Sequence, residues 1–270
     1  MTNILLHIHD DDAAETRMQA ALDVARTLNG HLSCLEVTPF NSYIAGDVFG
    51  GAYVLPDVMA AVQEHRDRMR AETEARMARE NVTWTYESCD GDPAGAIVDR
   101  ARLADFVVLS RATRDAGADE PLPLAGDVAV HTRALVLAVP PATNGFDACG
   151  AALIAWNGSI EAANALKAAM PMLEQASAIN LVTIVENAAS EFPATDAAEY
   201  LSRHGLKAEL HEIDRDGRWL GDALLGALAD IGGAYVVMGA YGHSRARELL
   251  LGGVTRRMLK DCPVPLLLAH

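Results

Sequence analysis

The sequence is short of cysteine, of aromatics and of positive charge, and each shortage removes a class of protein. Cys34, Cys89, Cys149 and Cys262 are scattered, with no CxxC pair; this argues against a disulfide framework or structural zinc and fits a reducing cytoplasm. Aromatic residues make up only 5% of a chain that is 50% hydrophobic. The apolar content is therefore aliphatic, as in thin layers between helices and a parallel sheet, not as in a β-sandwich. A formal net charge of −15 repels DNA, RNA and anionic lipid over most of the surface. No apolar run approaches the length of a membrane span. The opening segment, Met1 to Asp12, has no lysine or arginine ahead of its short apolar stretch, so it predicts a first strand and neither a leader nor an anchor.

What is present is a series of aliphatic runs of strand length. They are Ile4 to Ile8, Leu32 to Val37, Val82 to Tyr86, Phe106 to Leu109 and Leu135 to Val139. The series then repeats as Ala151 to Trp156, Ile179 to Val185, Ala208 to Ile213, Tyr235 to Met238 and Val264 to Ala269. Continuous apolar runs mark strands covered on both faces, and helical stretches between them mark right-handed parallel crossovers. Superposed on itself at an offset of 148 residues, the chain aligns its two first strands and helices, and at 129 residues its later strands. Residues 1–140 and 150–270 thus read as two copies of one βαβαβαβαβ unit, joined by the Pro- and Gly-bearing linker Pro140 to Gly150. Asp12 with Glu15 and Asp196 with Glu199 have capping-box spacing, and Gly30 and Gly205 fall where left-handed helix stops belong. A charged helix over Asp57 to Glu80 carries Val58, Val62, Met69 and Met77 as one narrow apolar stripe. A packed stripe with a solvated opposite face is the plain reading of it, and a lid or partner-binding element the sharper one.

Chemistry concentrates in one stretch. Gly239 and Gly242 follow the fourth strand of the second copy, and nine residues later Gly252 and Gly253 open the last helix, ahead of Val254 and Thr255. Between Gly239 and Lys260 four arginines and a lysine stand against the single acid Glu248. A phosphate needs several N–H donors at close range, which glycine permits both by its dihedral freedom and by lacking a Cβ. The free N–H groups of a helix start add to this. Ser244 and Thr255 bring hydroxyl donors.

This GxxG, nine residues, Gly-Gly pattern resembles the ATP-binding motif of the universal stress protein family. The resemblance extends to Trp156-Asn157-Gly158-Ser159 after the first strand, to Gly91-Asp92-Pro93, and to Cys262-Pro263-Val264-Pro265-Leu266 at the last strand. It implies two tandem doubly wound α/β units of the adenine nucleotide alpha hydrolase-like type, each with a five-stranded parallel sheet, related by an internal pseudo-two-fold and paired through their last strands. It also implies binding of ATP or AMP, with magnesium where a triphosphate is held, and a role in stress response or signalling. By the same resemblance Asn157 lies near the ribose or adenine and the backbone of Ile184 and Val185 borders the adenine. Met238, Gly239, Gly242, Gly252, Gly253, Val254 and Thr255 would hold ribose and phosphates. Two positions depart from the family's pattern: Asn157 stands for the usual Asp, and Gly253 for the usual Ser or Thr.

The first copy reads Ser110, Arg111, Ala112, Thr113 and then Pro123, Leu124 at the equivalent places, with no glycine at any of the four positions. Asp10, Asp11 and Asp12 add negative charge there, and no nucleotide is expected in that half. His7, His9 and Asp10 share a strand end but have no clear fourth partner, where zinc usually takes three or four ligands. His243 beside Ser244 is no nucleophile-base pair, since no GxSxG elbow is present, so at most slow ATP hydrolysis is expected. Two readings stay open. One is a tandem universal stress protein whose adenine nucleotide alters surfaces seen by unidentified protein partners. The other is a nucleotide-independent interaction module. Fused copies can satisfy pairing internally, while leaving room for a homodimer.

Overall fold

The computed structural model describes residues 1–39, 45–46, 52–53, 56–111, 124–141, 143, 145–185, 192–242 and 253–270. The first half runs β1 (Asn3–Ile8), α1 (Ala14–Thr27), β2 (His31–Thr38), the short pair β3 (Ala45–Gly46) and β4 (Ala52–Tyr53), α2 (Pro56–Met77), β5 (Thr83–Asp90), α3 (Pro93–Arg100), β6 (Phe106–Ser110), α4 (Leu124–His131) and β7 (Leu135–Val139). The second runs β8 (Ala152–Ala155), α5 (Ile160–Ala168), α6 (Met170–Leu173), β9 (Ile179–Val185), α7 (Ala194–Arg203), β10 (Glu209–Asp214), α8 (Leu220–Ile231), β11 (Tyr235–Gly239), α9 (Gly253–Asp261) and β12 (Leu266–Ala269).

Among the described residues, every aliphatic run became a strand, and ten strands form one sheet in the order β10-β9-β8-β11-β12-β7-β6-β1-β2-β5. Pairing is parallel within each half. At the centre it is antiparallel, with Leu266 opposite Ala138 and Leu268 opposite Val136. The order reads the same outward from that seam, so the carboxyl ends of the strands in one half point the opposite way from those in the other. Side chains alternate across each strand and feed two aliphatic layers. Leu6, Leu22, Leu137, Ile154, Leu166 and Leu201 belong to one, and Val107, Val128, Val136, Leu224, Val236 and Met258 to the other. Each layer crosses the seam, which makes the halves one packed body. Arg111 of the first half donates to the Cys262 carbonyl of the second. Among the described residues, no helix is long and apolar enough to cross a membrane.

Several local signals resolve differently from expectation. Helix α1 begins at Ala14 with no side-chain cap, because Asp11, not Asp12, accepts the Ala13 N–H at 3.0 Å and turns its carboxylate to Arg17. Helix α7 begins behind Pro193, so Asp196 sits inside the first turn and does not cap it. Gly205 is left-handed at φ +78°, but after α1 Asn29 takes that conformation, at +48°. Gly30 is there for space, since a Cβ would come within 2.9 Å of the Thr2 carbonyl. In Gly91-Asp92-Pro93, Asp92 caps α3 by accepting the Gly95 N–H at 2.8 Å.

Candidate functional site

Strands β8 and β11 are neighbours whose following helices pack into different layers. A crevice opens beyond their carboxyl ends, at the switch point where open α/β sheets take ligands. The cleft there has a volume of about 300 Å³. One side is an apolar slot made by Val182, Ile184, Leu220, Leu224 and Met238. The other end is polar, with Asn157, Ser159, Glu161, Gly239, Gly242, Gly253 and Thr255. Such a shape suits a flat apolar ring system with a polar tail.

Of the residues anticipated from sequence, Asn157, Ile184, Met238, Gly239, Gly242, Gly253, Val254 and Thr255 line this one cleft. Val185 is not among the lining residues: strand alternation turns it away from Ile184, and it is 40% exposed at the end of β9. Gly252, His243, Ser244, Arg245 and Arg247 lie outside the described residues.

The glycines act by closeness and not by unusual dihedrals. A Cβ on Gly239 would lie 2.7 Å from the Ala162 amide nitrogen and from the Glu161 carbonyl carbon, so the start of α5 rests directly on the end of β11. Neither Gly239 nor Gly242 has a positive φ; Tyr241 takes the left-handed turn, at +52°. Thr255 is buried, and its hydroxyl accepts the Tyr241 N–H at 3.3 Å, tying the turn to α9 while keeping its own proton to donate. Ser159 caps α5 by accepting the Ala162 N–H at 3.2 Å. Asn157 Oδ1 accepts the Ser159 N–H at 3.1 Å, holding the turn at Gly158, whose φ is +76°. Gly253 faces the Trp219 indole, which would come within 2.4 Å of a Cβ. The indole thus fills the space of a side chain at the head of α9. Arg257 is engaged elsewhere: it pairs with Asp222 at 2.8 Å and with Asp261 at 2.5 Å, clamping α9 to α8.

Sequence reasoning passed over Glu161, Trp156 and Tyr241. Glu161 is 2% exposed, and its Oε2 would lie 3.2 Å from a Cβ on Gly242. An acid in a first helical turn reads as an ordinary dipole partner, and only packing brings it to the cleft. Trp156 is buried on the cleft wall with its indole N–H given to the Phe192 carbonyl at 3.1 Å. Tyr241 spans the seam, its hydroxyl within 2.6 Å of where a Cβ on Gly126 of α4 would be. Burial there pushes its phenol up to about 12.

The equivalent place in the first half is filled. Arg17, 2% exposed, gives its Nε to the His7 carbonyl at 2.8 Å and an Nη to the His9 carbonyl at 2.7 Å. It also pairs with Asp11 at 2.9 Å and donates to the Ser110 hydroxyl. Ser110 holds the position of Gly239, so a guanidinium stands at the strand end on which the start of α5 rests in the second half. A signal existed in the sequence: Arg17 interrupts the apolar face formed by Ala20, Ala21 and Val24. Thr113 and Pro123 lie outside the described residues. His7 and His9 stack at 5.6 Å, and among the described residues no group of three His, Cys, Asp or Glu side chains could hold a metal ion.

No family model matches the chain, and no curated protein does at the level of sequence. Solved structures do match. A universal stress protein from Archaeoglobus fulgidus DSM 4304 superposes over 99% of this chain and 95% of its own, with a TM-score of 0.77 at 14% identity. A functionally unknown protein, PA1789 from Pseudomonas aeruginosa PAO1, covers 100% and 92%, with a TM-score of 0.56 at 15% identity. A putative universal stress protein from Pseudomonas aeruginosa UCBPP-PA14 covers 100% and 93%, with a TM-score of 0.55 at 16% identity. The chain has the universal stress protein fold in tandem.

Proposed function

We propose that this chain, a tandem of the universal stress protein fold, binds an adenine nucleotide in the cleft of its second half and acts in stress response or signalling through occupancy of that cleft. The observation that carries this reading is the convergence of an apolar slot, Val182, Ile184, Leu220, Leu224 and Met238, with a glycine-bordered polar end in a single cleft at the switch point. The base would lie in the slot, the ribose near Asn157, and phosphates against the N–H groups at Gly242 and the first turn of α9. Glu161 is the single carboxylate among the described lining residues, and a magnesium ion typically takes one or two carboxylates along with substrate phosphates. AMP and magnesium-bound ATP are the two candidates for the cleft. Binding energy and not bond-breaking would carry the function, and the protein would work in the cytoplasm.

Thermal unfolding with millimolar AMP, and with ATP with and without magnesium, tests the reading. A ligand bound only to the native state must raise its stability. AMP is expected to raise the midpoint, ATP to do so more with magnesium than without, and Gly242→Val to remove both shifts. Absence of any shift in the wild-type chain would refute nucleotide binding.

A further inference from the structure

Helix α2 packs along only part of its length. Met69, Thr73 and Met77 toward its C-terminal end are buried. Val58, Val62, His65, Arg66 and Met69, spaced to share a helix face, look across a second cavity of about 480 Å³ toward the ends of β1 and β2. The floor of this cavity is unusual. On β2 the alternation that sends Leu32 and Cys34 into the aliphatic layer sends Glu36 and Thr38 to the same face, and both are only 6% exposed. Plain core packing puts aliphatic side chains at such positions. Glu36 accepts the Tyr86 hydroxyl at 2.6 Å, and among the described residues no cation stands within ion-pair distance of it. The other charges around the cavity are matched: Arg66 with Asp90 at 3.0 Å, and Asp10 with Arg68 at 3.6 Å and His65 at 4.0 Å.

We propose that this cavity is a second ligand site, for a small organic cation with an apolar body. Its ammonium would pair with Glu36 and its hydrocarbon would lie against Val58, Val62 and Met69. A buried carboxylate without a counter-charge carries a desolvation penalty that a bound cation offsets. The volume is that of small-molecule sites, roughly 300–1,000 Å³. Glu36, the carboxylate with no cation beside it, repels an anionic ligand of the same size. The site lies in the half whose switch point is filled by Arg17, and it is independent of nucleotide binding in the other half.

Titration of the full chain with n-hexylammonium, hexanoate and 1-hexanol at matched ionic strength, followed by calorimetry, tests the proposal. Saturable binding of hexylammonium at least tenfold tighter than that of either other probe is expected. Glu36→Gln keeps the Tyr86 hydrogen bond and should erase the preference. Val62→Trp fills the cavity and should exclude the cation in a chain that still unfolds cooperatively, which carries the test should Glu36→Gln fail to fold. Equal binding of hexanoate or hexanol to the wild-type chain, undiminished cation binding in either folded variant, or no saturable binding at all would overturn it.

Discussion

The ends of β6 and β11 are one position in two copies, and they show how a side chain and its absence give opposite outcomes on the same backbone. At β11, Gly239 lets α5 sit on the strand end, and the cleft opens beside it. At β6 the residue is Ser110, and Arg17 reaches from α1 to bind its hydroxyl, the Asp11 carboxylate and two strand-end carbonyls. The first half thus differs by more than a missing glycine. Its strand-end carbonyls, the Asp11 carboxylate and the Ser110 hydroxyl have Arg17 as an internal partner.

The sharpest way to break the comparison is Arg17→Ala. It leaves the buried His7 carbonyl and the part-buried His9 carbonyl without their donor and the partly exposed Asp11 carboxylate without its partner, and each buried group left unsatisfied costs about 1–3 kcal/mol. Chemical denaturation should register that loss, and guanidinium ion in the millimolar range should restore part of it by filling the space. A variant as stable as the wild type would show that the plug is ornamental. Next comes Gly239→Ala, which forces a methyl against the backbone of α5. Overpacking of this kind costs about 1–3 kcal/mol, and the measured midpoint should fall together with any nucleotide-induced shift, whereas Ser110→Ala in the first half should lower the midpoint through a lost Arg17 acceptor and leave that shift unchanged. The response that depends on pH is that of His7, buried beside Arg17, whose folded-state value is held down to about 3 mainly by burial and then by the Arg17 charge. A depressed value means the neutral ring stabilises the fold fully above the ordinary 6.5. That contribution falls away as pH drops toward 3, by about 1.4 kcal/mol per pH unit for this one group. His7→Phe should flatten the slope of stability against pH between 6 and 4; an unchanged slope would mean that His7 does not govern it.

Much of this comparison could be read from the sequence, because aliphatic continuity and the spacing of glycines depend on neighbours in the chain. The strands and the duplication follow from such signals, whereas the set of cleft residues comes from the resemblance to the universal stress protein family. What could not be read depends on long side chains crossing between elements. Arg17 joins three segments, Glu161 reaches Gly242 from another element, and Trp219 covers Gly253; none of these contacts is implied by local spacing. The same limit misassigned Asp12 and Asp196 as caps: a carboxylate at the right spacing still goes wherever its strongest partner lies. The hollow beneath α2 was equally hidden, since Val58 and Val62 have the spacing of a packed stripe while the residues they face, Glu36 and Thr38, lie on a distant strand.

The antiparallel pairing of β7 with β12 joins strands of a single polypeptide. Two separate subunits held by such a seam would come apart on dilution, but here the local concentration of each half around the other is fixed by the covalent link. The integrity of the seam is therefore independent of how much protein is present, and each chain carries one open cleft and one plugged counterpart in a constant ratio that no exchange of subunits can alter.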